Sequence, residues 1–101
     1  MMNWREITEK LTKGNPLQSN ILARLTILTY NLGDLVKAVY YALHYGEGIH
    51  DRGYRAEIKI ALADTLAQLK VLIHYLGFSE EEIERLAYER LQEFISKRLK
   101  R

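Results

Sequence analysis

The chain has 101 residues, a formal net charge of +2 and no cysteine. That length sets the expectation of a single domain, residues 1–101, with one modest core. The missing thiols exclude disulfides and thiolate metal sites, the small charge gives no reason to expect a nucleic-acid partner, and no run approaches the ~20 apolar residues of a membrane span.

Met1-Met2-Asn3-Trp4-Arg5-Glu6 carries no apolar segment of the signal-peptide kind, so a cytoplasmic protein is expected. Asn3 to Lys13 reads as a short amphipathic helix, with Asn3 placed to cap it and Glu6 three residues on. Trp4, Ile7 and Leu11 form its apolar stripe. Trp4 is read as a core anchor, with stacking on a nucleobase as the alternative use of its ring.

Gly14-Asn15-Pro16 breaks this helix, and Ser19 offers an N-cap to the next. Ile21, Leu25, Leu28, Leu32, Leu35, Val39 and Ala42 then alternate spacings of four and three, a sustained heptad seam. Leu22, Ile27, Val36, Tyr40 and Leu43 add a second apolar surface. A helix of roughly 26 residues is about 39 Å long. One that is apolar on two sides needs cover on two sides. A single short chain cannot supply both, so self-association is predicted.

Gly46 to Gly53 is the longest irregular segment, with His44, His50 and Asp51 in or beside it. Their offsets do not follow metal-ligand spacing, and a polar surface loop is expected. A third helix is predicted from about Tyr54 to Leu76, ended by Gly77 in the left-handed region. Ile58, Leu62, Thr65, Leu69, Leu72 and Leu76 make its seam, while Glu57, Ala61, Asp64 and Gln68 form a separate stripe. His74 reads as a packed or hydrogen-bonded side chain. Ser79-Glu80-Glu81-Glu82 starts the last helix, its acidic turn matched to the positive end of the helix dipole. Ile83, Ala87, Leu91, Phe94 and Ile95 are its expected inner stripe. Lys97, Arg98, Lys100 and Arg101 complement the dipole at its other end, or form a phosphate-binding patch. The fold class is all-α: an antiparallel four-helix bundle protomer, one short helix and three long ones, associating into an oligomer.

Two stretches carry the chemistry. Asn31-Leu32-Gly33-Asp34 sets two oxygen-bearing side chains three residues apart, around a glycine that costs the helix about 1 kcal/mol relative to alanine. Glu57 and Asp64 lie two turns apart on the third helix. Carboxylates offered by two facing helices suit a hard divalent cation, and Mg²⁺ commonly bridges such groups to substrate phosphates.

Asn31-Leu32-Gly33-Asp34 with Leu35-Val36-Lys37-Ala38-Val39, Ala61-Leu62-Ala63-Asp64-Thr65-Leu66, the Leu76-to-Ile83 junction and the basic final helix together resemble the MazG-like, all-α nucleoside triphosphate pyrophosphohydrolases. The resemblance covers nearly the whole chain, and is best from Leu25 to Arg98. It implies a Mg²⁺-dependent release of pyrophosphate from a nucleoside triphosphate, leaving the monophosphate, with Mn²⁺ as a possible substitute. It also implies a homodimer or homotetramer. Asp34 and Asp64 match acidic metal ligands of the family, whereas Asn31 and Ala61 stand where two further acids belong. Two anionic ligands fewer imply a weakly held ion.

The expected metal ligands are therefore Asp34 and Asp64, assisted by Glu57 or Asn31. Arg90 and Lys97 are expected to meet phosphates, and Trp4 or Tyr30 to stack on the base. The first alternative is a catalytically inactive oligomeric bundle that binds a nucleotide or a protein. The second is a plain helical module in which Asp34 and Asp64 are merely paired to Lys or Arg, as Asp34 to Lys37, an interaction worth a few tenths of a kcal/mol.

Overall fold

The computed structural model describes residues 1–12 and 21–99. The expected breaker Gly14-Asn15-Pro16, the Ser19 cap, Lys13, Lys100 and Arg101 lie outside the described residues. Four helices follow one another: α1 (Trp4–Thr12), α2 (Ile21–Tyr45), α3 (Arg52–Tyr75) and α4 (Glu80–Leu99), with no strand among the described residues. The all-α class expected from the periodicity is the class observed. No helix among the described residues is long and apolar enough to cross a membrane.

The helix ends follow the local chemistry. The Glu6 amide donates to Asn3 Oδ1 at 2.9 Å, satisfying one of the free N–H groups at the start of α1. Asp51 caps α3, its carboxylate accepting the Gly53 amide at 2.8 Å. Gly77 takes φ of 82°, and the Phe78 amide reaches back to the Ile73 carbonyl at 3.0 Å, closing α3 as a Schellman turn. Ser79 Oγ accepts the Glu82 amide at 3.3 Å at the start of α4.

Among the described residues α3 is the hub: α1, α2 and α4 each pack on it, and not on one another. The centre of the α2–α3 contact is Ala38, Ala42 and Ile58, flanked by Leu35, Val39 and Tyr54. Alanines at the contact let the two backbones approach closely. Val71 is the largest fully buried side chain, and burial of such a side chain is worth about 1.5–3 kcal/mol.

Two expectations are corrected here. The seams hold at Ala42, Ile58 and Thr65, which are buried, and at Leu28, Leu35, Val39 and Leu72, which are half-buried, but not at every leucine. Leu25 and Leu32 are exposed, while Arg24 and Ala38 are buried. On α3, Ala61 is buried and Gln68 half-buried, in place of Leu62 and Leu69. At the centre of the α2–α3 contact the alanines Ala38, Ala42 and Ala61 are buried, and Leu32 and Leu62 stay exposed beside it. The inner stripe of α4 is also absent: Ile83 is half-buried, but Ala87, Leu91, Phe94 and Ile95 are exposed.

Polar contacts join the start of α4 to α3. Lys70 Nζ donates to Glu84 Oε1 at 2.6 Å and lies 3.2 Å from Glu80 Oε1, and His74 Nε2 is 3.6 Å from Glu80 Oε2. Every residue from Arg85 to Leu99 is exposed. The radius of gyration is accordingly 16.8 Å, against about 13 Å for a compact domain of this length.

Candidate functional site

The α2–α3 pair encloses an open groove of about 530 Å³. Asp34, Lys37, Ala38 and Tyr41 line it from α2, and Tyr54, Glu57, Ile60, Ala61 and Asp64 from α3. Helical spacing explains the α2 wall: Lys37, Ala38 and Tyr41 stand three, four and seven residues from Asp34, so all share its side of the helix. Ala38 and Ala61 are buried and small, which leaves space between the helices where larger side chains would fill it.

The register gives the groove two unlike ends. Asn31 Nδ2 donates to the Asp64 main-chain oxygen at 3.4 Å, so Asp34 and Asp64 share one end. Tyr54 packs against the Ala38–Ala42 cluster, and with Tyr41 it makes the other end aromatic. Asp34 and Tyr41 are about 10.5 Å apart along the axis of α2.

Asp34, Lys37, Glu57 and Asp64 all line this space, yet among the described residues none of the four is ion-paired. The expected alternative of an Asp34–Lys37 pair is therefore not what the side chains do. Lys37 Nζ instead sits 5.5 Å from the centre of the Tyr41 ring, a cation–π contact.

Asp34, Glu57 and Asp64 are brought to one groove, but among the described residues no three His, Cys, Asp or Glu groups are placed to hold a metal ion. Glu57 stands about 10.5 Å from Asp64 along the axis of α3, whereas two oxygens bound to one Mg²⁺ are about 3–4 Å apart. Asn31 gives its amide to Asp64 rather than standing in the groove wall. This donor set does not suit a resident ion held by four protein ligands. It does suit a magnesium that arrives with phosphates and keeps several waters, the mode in which one or two carboxylates suffice.

The expected substrate contacts lie elsewhere. Tyr30 is 70% exposed and does not line the groove. Trp4 is half-buried on α1. Arg90 and Lys97 are on the exposed part of α4, where Lys97 Nζ pairs with Glu93 at 3.4 Å. The residues that do line the groove and were not anticipated are Lys37, Tyr41 and Tyr54. Their helical offsets from Asp34 and Asp64 were the available signal.

The loop behind the aromatic end is tightly tied. Asp51 accepts the Glu47 amide through Oδ2 and the Gly53 amide through Oδ1, both at 2.8 Å. These two bonds, led by the one from Glu47, hold its carboxyl below the usual range for aspartate. A Cβ at Gly46 would lie 2.7 Å from Asp51 Oδ2 and 2.8 Å from the Tyr54 ring. The loop thus backs the Tyr54 ring only because residue 46 has no side chain. His44 stacks on Tyr40 at 4.0 Å between ring centres.

No protein-family model matches the chain, and neither a curated protein nor a solved structure matches it.

Proposed function

We propose that the chain is a MazG-like nucleotide pyrophosphohydrolase, cleaving a nucleoside triphosphate to monophosphate and pyrophosphate in the α2–α3 groove. The observation that carries this reading is that Asp34 and Asp64 line one end of a groove from facing helices, with no ion-pair partner among the described residues, while the far end is aromatic. A groove with a few polar groups set among apolar and aromatic side chains is the usual form of a small-molecule site.

In this reading Asp34 and Asp64 hold the magnesium that accompanies the phosphates. When bound, the ion neutralises phosphoryl charge and lowers the pKa of an attacking water. Tyr41 and Tyr54 receive the base, about one nucleoside length from the acids, in the role expected of Trp4 or Tyr30. The carboxylates disfavour phosphate that comes without a cation, which makes substrate binding stronger with the metal than without it.

The protomer in this reading is an antiparallel bundle completed by a second copy of the chain. The whole chain exposes 8359 Å², about 2,400 Å² more than the ~5,900 Å² of a compact monomer of its mass. Leu22, Leu25, Leu32, Val36 and Leu43 form an exposed apolar face on α2, and Leu91, Phe94 and Ile95 one on α4. A stable dimer interface covers about 800 Å² on each partner, so the excess is ample.

The test is pyrophosphate release over common and damaged nucleoside triphosphates, with Mg²⁺ or Mn²⁺. Turnover that disappears in Asp64→Ala supports the proposal. One observation favours a second reading, a bundle that binds nucleotide without cleaving it: no three acidic or imidazole groups converge among the described residues. That reading gains if nucleotides raise the melting temperature without turnover. If neither response occurs, both fall.

A further inference from the structure

We infer that Lys37 is the phosphate contact of the α2–α3 groove, taking part of the charge that Asn31 and Ala61 no longer bring through a metal. This inference rests on the nucleotide reading above. Among the described residues that line the groove, Lys37 is the only one with a cationic side chain, against the three carboxylates of Asp34, Glu57 and Asp64. A polyphosphate entering such a space meets net repulsion. Magnesium relieves it, but with two acidic ligands in place of four the ion is held more weakly.

The position of the ammonium group supports the role. On α2, a lysine three residues after an aspartate is within reach of pairing, yet Lys37 Nζ is not ion-paired to Asp34 or to any other carboxylate among the described residues. It is held 5.5 Å from the Tyr41 ring centre, between the acidic and aromatic ends. A nucleotide with its base at Tyr41 and Tyr54 and its terminal phosphates at Asp34 and Asp64 has its first phosphate beside that group. Lysine meets phosphate as a compact point charge with three donors. A lysine that served only as a solvated surface charge would have no effect on ligand affinity.

The experiment is calorimetric titration of the full chain with an α,β-imido nucleoside triphosphate, whose bond at the cleavage point resists hydrolysis. It is run with Mg²⁺ and again with EDTA at low ionic strength, on wild type, Lys37→Met, Lys37→Arg and Asp64→Asn. Lys37→Met should weaken binding about tenfold with Mg²⁺, and should abolish the weak residual binding in EDTA. Lys37→Arg should restore most of both. Asp64→Asn should remove the gain given by Mg²⁺ while leaving the binding in EDTA. Equal affinity of wild type and Lys37→Met overturns this inference alone. No binding by wild type with Mg²⁺ overturns the nucleotide reading along with it. Methionine keeps the helix propensity and the apolar stem, and an unchanged circular dichroism spectrum excludes misfolding as the cause of a loss.

Discussion

Asp34 and Asp64 line one groove from opposite helices, and neither carboxylate is ion-paired among the described residues. Both are exposed, so the fold draws no support from their charge. Asp34→Asn and Asp64→Asn should each leave unfolding free energy within about 0.5 kcal/mol of wild type. Each should reduce Mg²⁺-dependent nucleotide binding at least about tenfold, the loss expected when one of two anionic ligands disappears. Urea denaturation and calorimetry separate the two effects. A large stability loss with unchanged binding would make these aspartates structural.

On the proposed reading, placing acids at residues 31 and 61 should strengthen metal binding at unequal cost. Asn31→Asp gives up the donation to the Asp64 carbonyl, a bond worth about 1 kcal/mol at most in an exposed setting. Ala61 is only 6% exposed, so Ala61→Glu must lift a carboxylate out of the groove floor at a cost of about 1–3 kcal/mol. A Mg²⁺ titration should show higher affinity in both variants. An unchanged titration in Ala61→Glu would place the metal elsewhere.

Much of the fold was legible locally. Asn3, Gly77 and Ser79 are read correctly as helix punctuation because capping depends on a few neighbouring residues. The seams were harder. Leu25, Leu32, Leu62 and Leu69 have the right spacing, but so do Arg24, Ala38, Ala61 and Gln68 one step round the helix. Choosing between two such stripes depends on how closely the helices approach, which is a property of the pair. The same limit applied to the site. Asp34, Glu57 and Asp64 stand out by charge, whereas Lys37, Tyr41 and Tyr54 join them only once α2 and α3 are set in register.

Gly33 and Gly46 should respond oppositely to alanine. A Cβ at Gly33 has nothing within 4 Å, so Gly33→Ala gains helix propensity and should stabilise the protomer by about 1 kcal/mol. At Gly46 the new methyl meets Asp51 Oδ2 and the Tyr54 ring below 3 Å. Gly46→Ala should cost about 1–3 kcal/mol and displace Tyr54 from the groove. Urea midpoints test the first statement, and tyrosine fluorescence on nucleotide addition tests the second.

Stability should depend on pH through two surface groups of opposite sign. Hydrogen bonding to Glu84, then to Glu80, raises the Lys70 pKa above its ordinary 10.5. Its contribution is complete below pH 10.5 and is lost as pH rises through the higher folded value. The Asp51 pKa is lowered from 3.8 by the Glu47 and Gly53 amides, so its contribution is complete above 3.8 and is lost as pH falls through the lower folded value. Lys70→Met should therefore flatten the alkaline limb of a melting-temperature profile, and Asp51→Asn the acid limb. Hydrogen exchange at residues 80–84 should quicken on the alkaline side in wild type, since Lys70 ties that turn to α3.

Val36 is 68% exposed on a face of α2 that flanks its contact with α3. Leu25, Leu32 and Leu43 share that face at heptad-like spacing and are exposed as well. Water-exposed rows of this kind are rare in stable monomers, and burial recovers about 25 cal/mol per Å². Sedimentation equilibrium at micromolar concentration should report a dimer or tetramer. Val36→Asp places a charge in the middle of the row, and should shift the assembly toward monomer by at least about a hundredfold in dissociation constant, since an unpaired charge buried at an interface costs several kcal/mol. The α2–α3 core and its groove do not include Val36, so the monomer released should keep its helical circular dichroism. A wild-type chain that sediments as a monomer would leave that row without a partner copy and remove the assembly from the proposal.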